Sequence, residues 1–252
     1  MKKSVWKYFA ESFKKLKEQP VLIIPFLIMF VLILIVAAVI MLKVNSLGLT
    51  EEIIAGVTDA ASLSQIMPSI VSLGITALIA GVLSLIISAY FLSGATGMAL
   101  DIASKKKASL KSMCSYGKKF MLRFFGISVI YFVINAIAGA VIYLISGILI
   151  SDPVAGQLVD LALSLGVFLL MTFFALSYSY LIIQNKGVFA SIGKSLFIVK
   201  NNYLSFLLIW IMFNLLSALV SLIPYAGVLI SSLIIIPAQI IALVLFALDH
   251  NK

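Results

Sequence analysis

The 252 residues are 63% hydrophobic and 11% charged, with a mean hydropathy of +1.22. A soluble domain is about 45–50% apolar and roughly 25% charged, so a water-soluble globule is excluded and lipid must solvate much of the chain. The formal net charge of +9 gathers in the connections between apolar runs, where anionic lipid headgroups attract each cation by about 1 kcal/mol, and no nucleic-acid partner is expected.

The first element is a basic stretch, Val5–Leu16. Val5, Trp6, Phe9, Phe13 and Leu16 form a stripe at helical spacing, flanked by Lys7, Lys14, Lys15 and Lys17. Such a helix lies in the headgroup plane, aromatic residues dipping inward while lysines snorkel to phosphate. Val21–Leu42 follows and is long enough to cross a hydrocarbon core, which takes about 20 helical residues. Its run exceeds a signal-peptide core and no small-x-small site precedes Lys43, so a retained anchor is expected. Residues 43–69 form an outer connection. There Thr50 before Glu51 and Glu52, and Ser62 three residues before Gln65, carry helix N-cap patterns for short helices over the outer face, as a lid or a plain elaboration. The second span is Ile70–Leu92. Its Gly74, Ala77, Gly81, Ser84 and Ser88 make a seam of small residues that predicts close packing at the centre of the bundle, continued by Ser93–Gly97.

A second basic stretch, Leu110–Phe124, places Leu110, Met113, Gly117, Phe120 and Phe124 on one face, with Lys111, Lys118, Lys119 and Arg123 around them. Spans Phe124–Ile150 and Leu158–Ile183 follow, joined around Ser151-Asp152-Pro153. A third stretch, Phe189–Val199, repeats the pattern with Phe189, Ile192, Leu196 and Val199 beside Lys194 and Lys200. It leads to spans Tyr203–Ile223 and Val228–Leu248, joined by Pro224-Tyr225-Ala226-Gly227. The fold expected is an all-α membrane protein, 1–252 as one integral domain. Six helices form three hairpins, each preceded by a cytoplasmic interfacial helix, in units of about 1–103, 104–186 and 187–252. A gapless overlay sets Trp6 with Leu110 and Phe189; all three hairpins enter from the same side, so the repeat expected is parallel, about a pseudo-threefold axis along the membrane normal.

Lysine and arginine placement orients the chain. Six lysines precede the first span and most others lie in the connections after spans two and four, whereas only Lys43 accompanies Glu51, Glu52, Asp59 and Asp152 on the opposite side. The positive-inside rule puts both termini in the cytoplasm of a multi-pass cell-membrane protein.

No Asp, Glu, Lys, Arg or His stands mid-span, which disfavours proton- or voltage-driven machinery. What remains is amide. Asn135, Asn214 and Gln239 fall near the bilayer midplane at 1.5 Å rise per residue, with Ser217 on the Asn214 face and Ser232 one heptad from Gln239. They predict either glue between helices, worth about 0.6–2 kcal/mol per bond, or a polar centre lining a cavity. The single histidine, His250, stands near the C-terminus, and the single cysteine, Cys114, has no cluster for zinc. With no nucleophile elbow, phosphate loop or carboxylate cluster, neither an enzyme nor a cofactor or metal is expected. Two readings stand: a scaffold or complex subunit contacting anionic lipid or a membrane or cytoplasmic protein through its basic helices, and a transporter or flippase-like protein for a lipid or small amphiphile.

After the fourth span, Gln184-Asn185-Lys186-Gly187 leads through Ala190, Lys194-Ser195 and Val199-Lys200-Asn201, and the last span carries Pro237 and closes on Leu248-Asp249. This layout resembles a group of uncharacterised six-span membrane families of archaea and bacteria, allied to the membrane domain attached to some glycerophosphodiester phosphodiesterases. An acidic residue often precedes the family's glycine, where this chain has Gln184 and Asn185. The resemblance implies the six-span fold and carries over no activity, because the phosphodiesterase domain is not part of this chain.

Overall fold

A computed structural model describes residues 4–47, 60–145, 153–224 and 226–251, and every regular element among them is helical. In chain order these are α1 (Val5–Glu18), α2 (Ile23–Ser46), α3 (Ala60–Ala103), α4 (Leu110–Tyr143) and α5 (Pro153–Thr172). They continue as α6 (Ser177–Gln184), α7 (Val188–Asn201), α8 (Tyr203–Ser221), α9 (Ala226–Ile230) and α10 (Ile236–Asp249). Six segments are long and apolar enough to cross a membrane: Pro20–Ser46, Ile66–Ala103, Leu110–Tyr143, Val154–Gln184, Tyr203–Ser221 and Ala226–Asp249. The caps expected at Thr50 and from Ser62 to Gln65, and the turn at Ser151-Asp152, lie outside the residues and side chains described.

Three boundaries differ from expectation, each for a local reason. The second basic stretch is no separate helix. It runs unbroken into its span as the 34-residue α4, because no proline intervenes between Leu110 and Phe124 and Ser109 caps the start through a reciprocal bond with Ser112. Only α1 and α7, each 14 residues, are distinct helices ahead of a span.

The fourth span is interrupted. The N–H groups of Phe173, Phe174, Ala175 and Ser177 reach back three residues, at 3.1, 3.1, 3.3 and 2.9 Å, a tightened turn that leaves carbonyls free. Ser195 of α7 donates its hydroxyl to the Phe173 carbonyl at 2.6 Å. Ser195→Ala therefore leaves that carbonyl without its side-chain donor, and a loss of about 1–3 kcal/mol is expected. A lowered thermal midpoint in detergent measures it, and an unchanged midpoint would show the break to be held by something else.

The sixth span contains a π-helical stretch, Ser231–Ile235, separated from Pro237 by Ile236 alone. Proline has no N–H for the preceding turn, and widening that turn accommodates the loss.

The chain divides into two compact units, Leu27–Ser88 and the remainder, Met1–Phe26 with Ala89–Lys252. In the first, Ile35, Val36 and Val39 of α2 and Thr76, Ile79, Ala80 and Leu83 of α3 line an apolar cavity of about 210 Å³. Within this unit nothing lies within 4 Å of a Cβ built on Gly74 or Gly81, so α2 does not pack closely on these two positions of the α3 seam. Small residues permit close approach, but a partner must supply it.

In the second unit α10 packs against α1, α6 and α8, and α4 against α5, α6 and α7. The sixth span is the most enclosed, with 44% of its most apolar window buried against 6% for the second. Its Ile241, Ala242, Val244, Phe246 and Ala247 are fully buried. The α1 stripe is correspondingly rotated. Tyr8, Ser12 and Leu16 are buried while Trp6 is 67% exposed, because the Tyr8 hydroxyl donates to Asp249 at 3.0 Å and its ring meets Phe246 at 5.4 Å. Phe9 and Phe13 turn to Phe213, at 5.0 and 5.9 Å. On α7 the buried face is Ser191, Ile192, Ser195, Ile198 and Val199, leaving Phe189 81% exposed.

Candidate functional site

Among the described residues the mid-span amides make no hydrogen bond with one another. Asn135 donates its amide to the carbonyl of Tyr131 at 2.8 Å, one turn back on α4, and stands 3.8 Å from the Met171 sulfur. Asn214 does the same on α8, donating to the Trp210 carbonyl at 2.7 Å. Each amide is thereby drawn into its own helix, the local bond open to short polar side chains. Ser217 pairs its hydroxyl with Ser231, and Ser221 donates to the Ser217 carbonyl at 2.7 Å. Ser232 is half-buried in the π stretch. Gln239 lines a cavity.

That cavity, about 200 Å³, lies wholly within the second unit. Thr96, Phe124, Ala175, Ser179 and Leu243 are its buried floor, and Leu92, Tyr131, Tyr178, Trp210, Gln239 and Ile240 its half-exposed rim. Both helix irregularities feed it. Ala175 belongs to the interrupted turn, and Gln239 follows the π stretch and Pro237. The wall is aromatic: Tyr131 stacks on Tyr178 at 5.7 Å and 11°, Phe124 meets Tyr178 at 4.8 Å, and Phe174 meets Tyr131 edge-on at 5.9 Å.

Its polar groups divide sharply. Thr96 spends its hydroxyl on the Leu92 carbonyl at 2.7 Å, and Tyr178 pairs with Ser128 at 3.0 Å. The Tyr131 hydroxyl and the Trp210 indole N–H are shut from solvent with no hydrogen-bond partner among the described residues. Composition alone does not point to these two. The available signal is a recurrence: Tyr131 precedes Asn135 by four residues, and Trp210 precedes Asn214 by four. In both helices a ring with a polar edge is followed one turn later by the amide that caps its carbonyl.

The basic residues also divide. Lys15 donates to the Ile102 carbonyl at 3.2 Å, at the end of α3. Arg123 donates to the Asn185 carbonyl and side chain at 3.3 and 3.1 Å and to the Lys186 carbonyl at 3.4 Å. Asn185 stands in the left-handed region, φ 51°, ending α6, so Arg123 satisfies carbonyls that the helix leaves open. Lys119 and Lys194 lie over Phe120 and Phe197, at 5.0 and 5.8 Å. Lys7, Lys14, Lys17, Lys111, Lys118 and Lys200 extend into the surroundings. The Lys14–Glu18 pair at 3.9 Å is exposed and worth about 0–1 kcal/mol at most.

Fold and helix composition together define an all-helical protein with the features of a multi-pass membrane protein. Compared with protein families, curated proteins and solved structures, the chain finds no match in any of the three.

Proposed function

We propose that the chain is a non-catalytic integral membrane protein, a scaffold or complex subunit that holds anionic lipid against its cytoplasmic face. In this reading both termini are cytoplasmic, the six spans pair as three hairpins, and the connections after spans two and four carry the cations. The observation that carries the proposal is the division of the basic residues. Lys15 and Arg123 are committed to helix ends, while Lys7, Lys14, Lys17, Lys118 and Lys200 stand exposed on helices whose other faces are packed into protein. A helix pinned on one side presents its cations without first ordering itself, which lowers the entropic cost of binding.

At about 1 kcal/mol per juxtamembrane cation, five lysines suffice for a retained shell of anionic lipid. Purification in mild detergent followed by lipid analysis tests this. Anionic lipid enriched over the bulk membrane extract is expected, and Lys→Gln at Lys7, Lys14, Lys17, Lys118 and Lys200 together should remove the enrichment. An extract of bulk composition from the unaltered protein would overturn it. A stoichiometric protein retained in place of lipid would transfer the same surface to a partner.

A further inference from the structure

We propose that the cavity lined by α3, α4, α6, α8 and α10 binds a neutral amphiphile through a carbonyl acceptor, toward which the Tyr131 hydroxyl and the Trp210 indole N–H turn as it enters. This stands independently of the scaffold reading, since none of the exposed lysines contributes to the cavity.

The polarity of the site selects the ligand. An indole N–H only donates, so whatever satisfies Trp210 must bring an acceptor. Tyr131 stands in the same wall with an equally unpaired hydroxyl. Each buried orphan costs about 1–3 kcal/mol, a penalty that an acceptor-bearing ligand relieves. Gln239, on the rim, adds a neutral amide. No Lys, Arg, His, Asp or Glu lines the cavity, so a charged headgroup would enter unpaired and desolvated. The acceptor is therefore neutral, and a carbonyl oxygen, with two lone pairs and no proton of its own, suits two donors better than a hydroxyl does.

Size and shape narrow it further. A cavity of about 150 Å³ admits benzene, so about 200 Å³ takes one ring or one ester group, and the remaining chain must pass the half-exposed rim toward lipid. The parallel rings of Tyr131 and Tyr178 suit a flat or extended body. Two interrupted spans converge here, and broken or widened helices concentrate at binding sites within membranes. The same chemistry comes from two sources, the ring carbonyl of a quinone or the ester carbonyl of a glycerolipid.

Trp6 and Trp210 are the chain's 2 tryptophans, so Trp6→Phe leaves Trp210 as the sole indole, excited selectively above the tyrosine band. The purified Trp6→Phe protein is titrated in one arm with decyl-ubiquinone, in the other with dibrominated phosphatidylcholine in mixed micelles. Saturable quenching by one probe is expected, and the saturating probe identifies the source. Tyr131→Phe in that background should weaken the saturating affinity about tenfold, the worth of one such bond. It should also leave the probe-free thermal midpoint unchanged or raised, since it removes an unpaired hydroxyl. Ala175→Leu, which fills the floor, should abolish saturation; its folding is checked by an unchanged far-ultraviolet helix signal. Quenching that rises linearly with both probes, or saturation unaltered by Tyr131→Phe, overturns the proposal and leaves a cavity occupied by water or lipid tails.

Discussion

Replacing Phe246 by alanine is expected to lower stability by about 3 kcal/mol and to release α1 from the bundle. The ring is fully buried and meets Tyr8, Phe206 and His250 at 5.4, 5.3 and 4.2 Å. It therefore joins α1, α8 and the end of α10 in one cluster. Phe→Ala in a core costs about 3–5 kcal/mol as a transfer term plus a cavity term. Lipid tails are as apolar as the interior, so the transfer term shrinks and the lower end of that range applies. Because Tyr8 packs on this ring and bonds Asp249 at the same helix end, trypsin should cut faster at Lys14 and Lys17 in the variant. A denaturation midpoint and a cleavage rate both equal to those of the unaltered protein would show that α1 is anchored elsewhere. Phe246→Leu should fall between, since it keeps most of the volume and loses the ring contacts.

Gly97→Ala and Gly81→Ala, on the same helix, are expected to have opposite signs. A Cβ on Gly97 would stand 2.6 Å from the Cβ of Tyr116 and closer still to its ring. On Gly94 it would stand 2.7 Å from the Met113 side chain and 2.9 Å from the Met113 carbonyl oxygen. Overpacking of this kind costs about 1–3 kcal/mol, and Tyr116 has limited room to yield because its hydroxyl is bonded to Asp101 at 3.3 Å. At Gly81 nothing lies within 4 Å, so alanine brings only its helix preference, up to about 1 kcal/mol in favour. Paired thermal midpoints in one detergent measure the difference. Equal shifts at the two positions would mean that the α3–α4 contact is not close-packed at Gly97.

Gly94 and Gly97 show where small residues were informative and where they were not. The seam from Gly74 to Ser88 has the same 3–4 spacing as the pair that packs, yet spacing describes one helix and packing requires two. Asn135 and Asn214 were legible as mid-span polar groups, but not as amides bonded to their own helices, because the choice between a local and a distant acceptor depends on what stands opposite. The polar groups that shape the cavity, Tyr131 and Trp210, were hidden for a related reason. Aromatic residues are common in apolar spans, and an unpaired N–H or hydroxyl is a property of the surroundings.

The one-dimensional pattern was sufficient for the helical class, for six apolar segments of spanning length, and for the positions of the basic connections. Backbone groups in lipid have to be satisfied within their own helix, so length and hydropathy alone select the spans. Tertiary structure decided the rest: which faces of α1 and α7 turn inward, that the second basic stretch continues into its span, and that Ala175, Tyr131, Trp210 and Gln239 share one cavity. A helix that is apolar all round carries no mark of its buried side, and in lipid only side-chain complementarity between neighbours, such as Tyr8 with Asp249 or Ser195 with Phe173, chooses it.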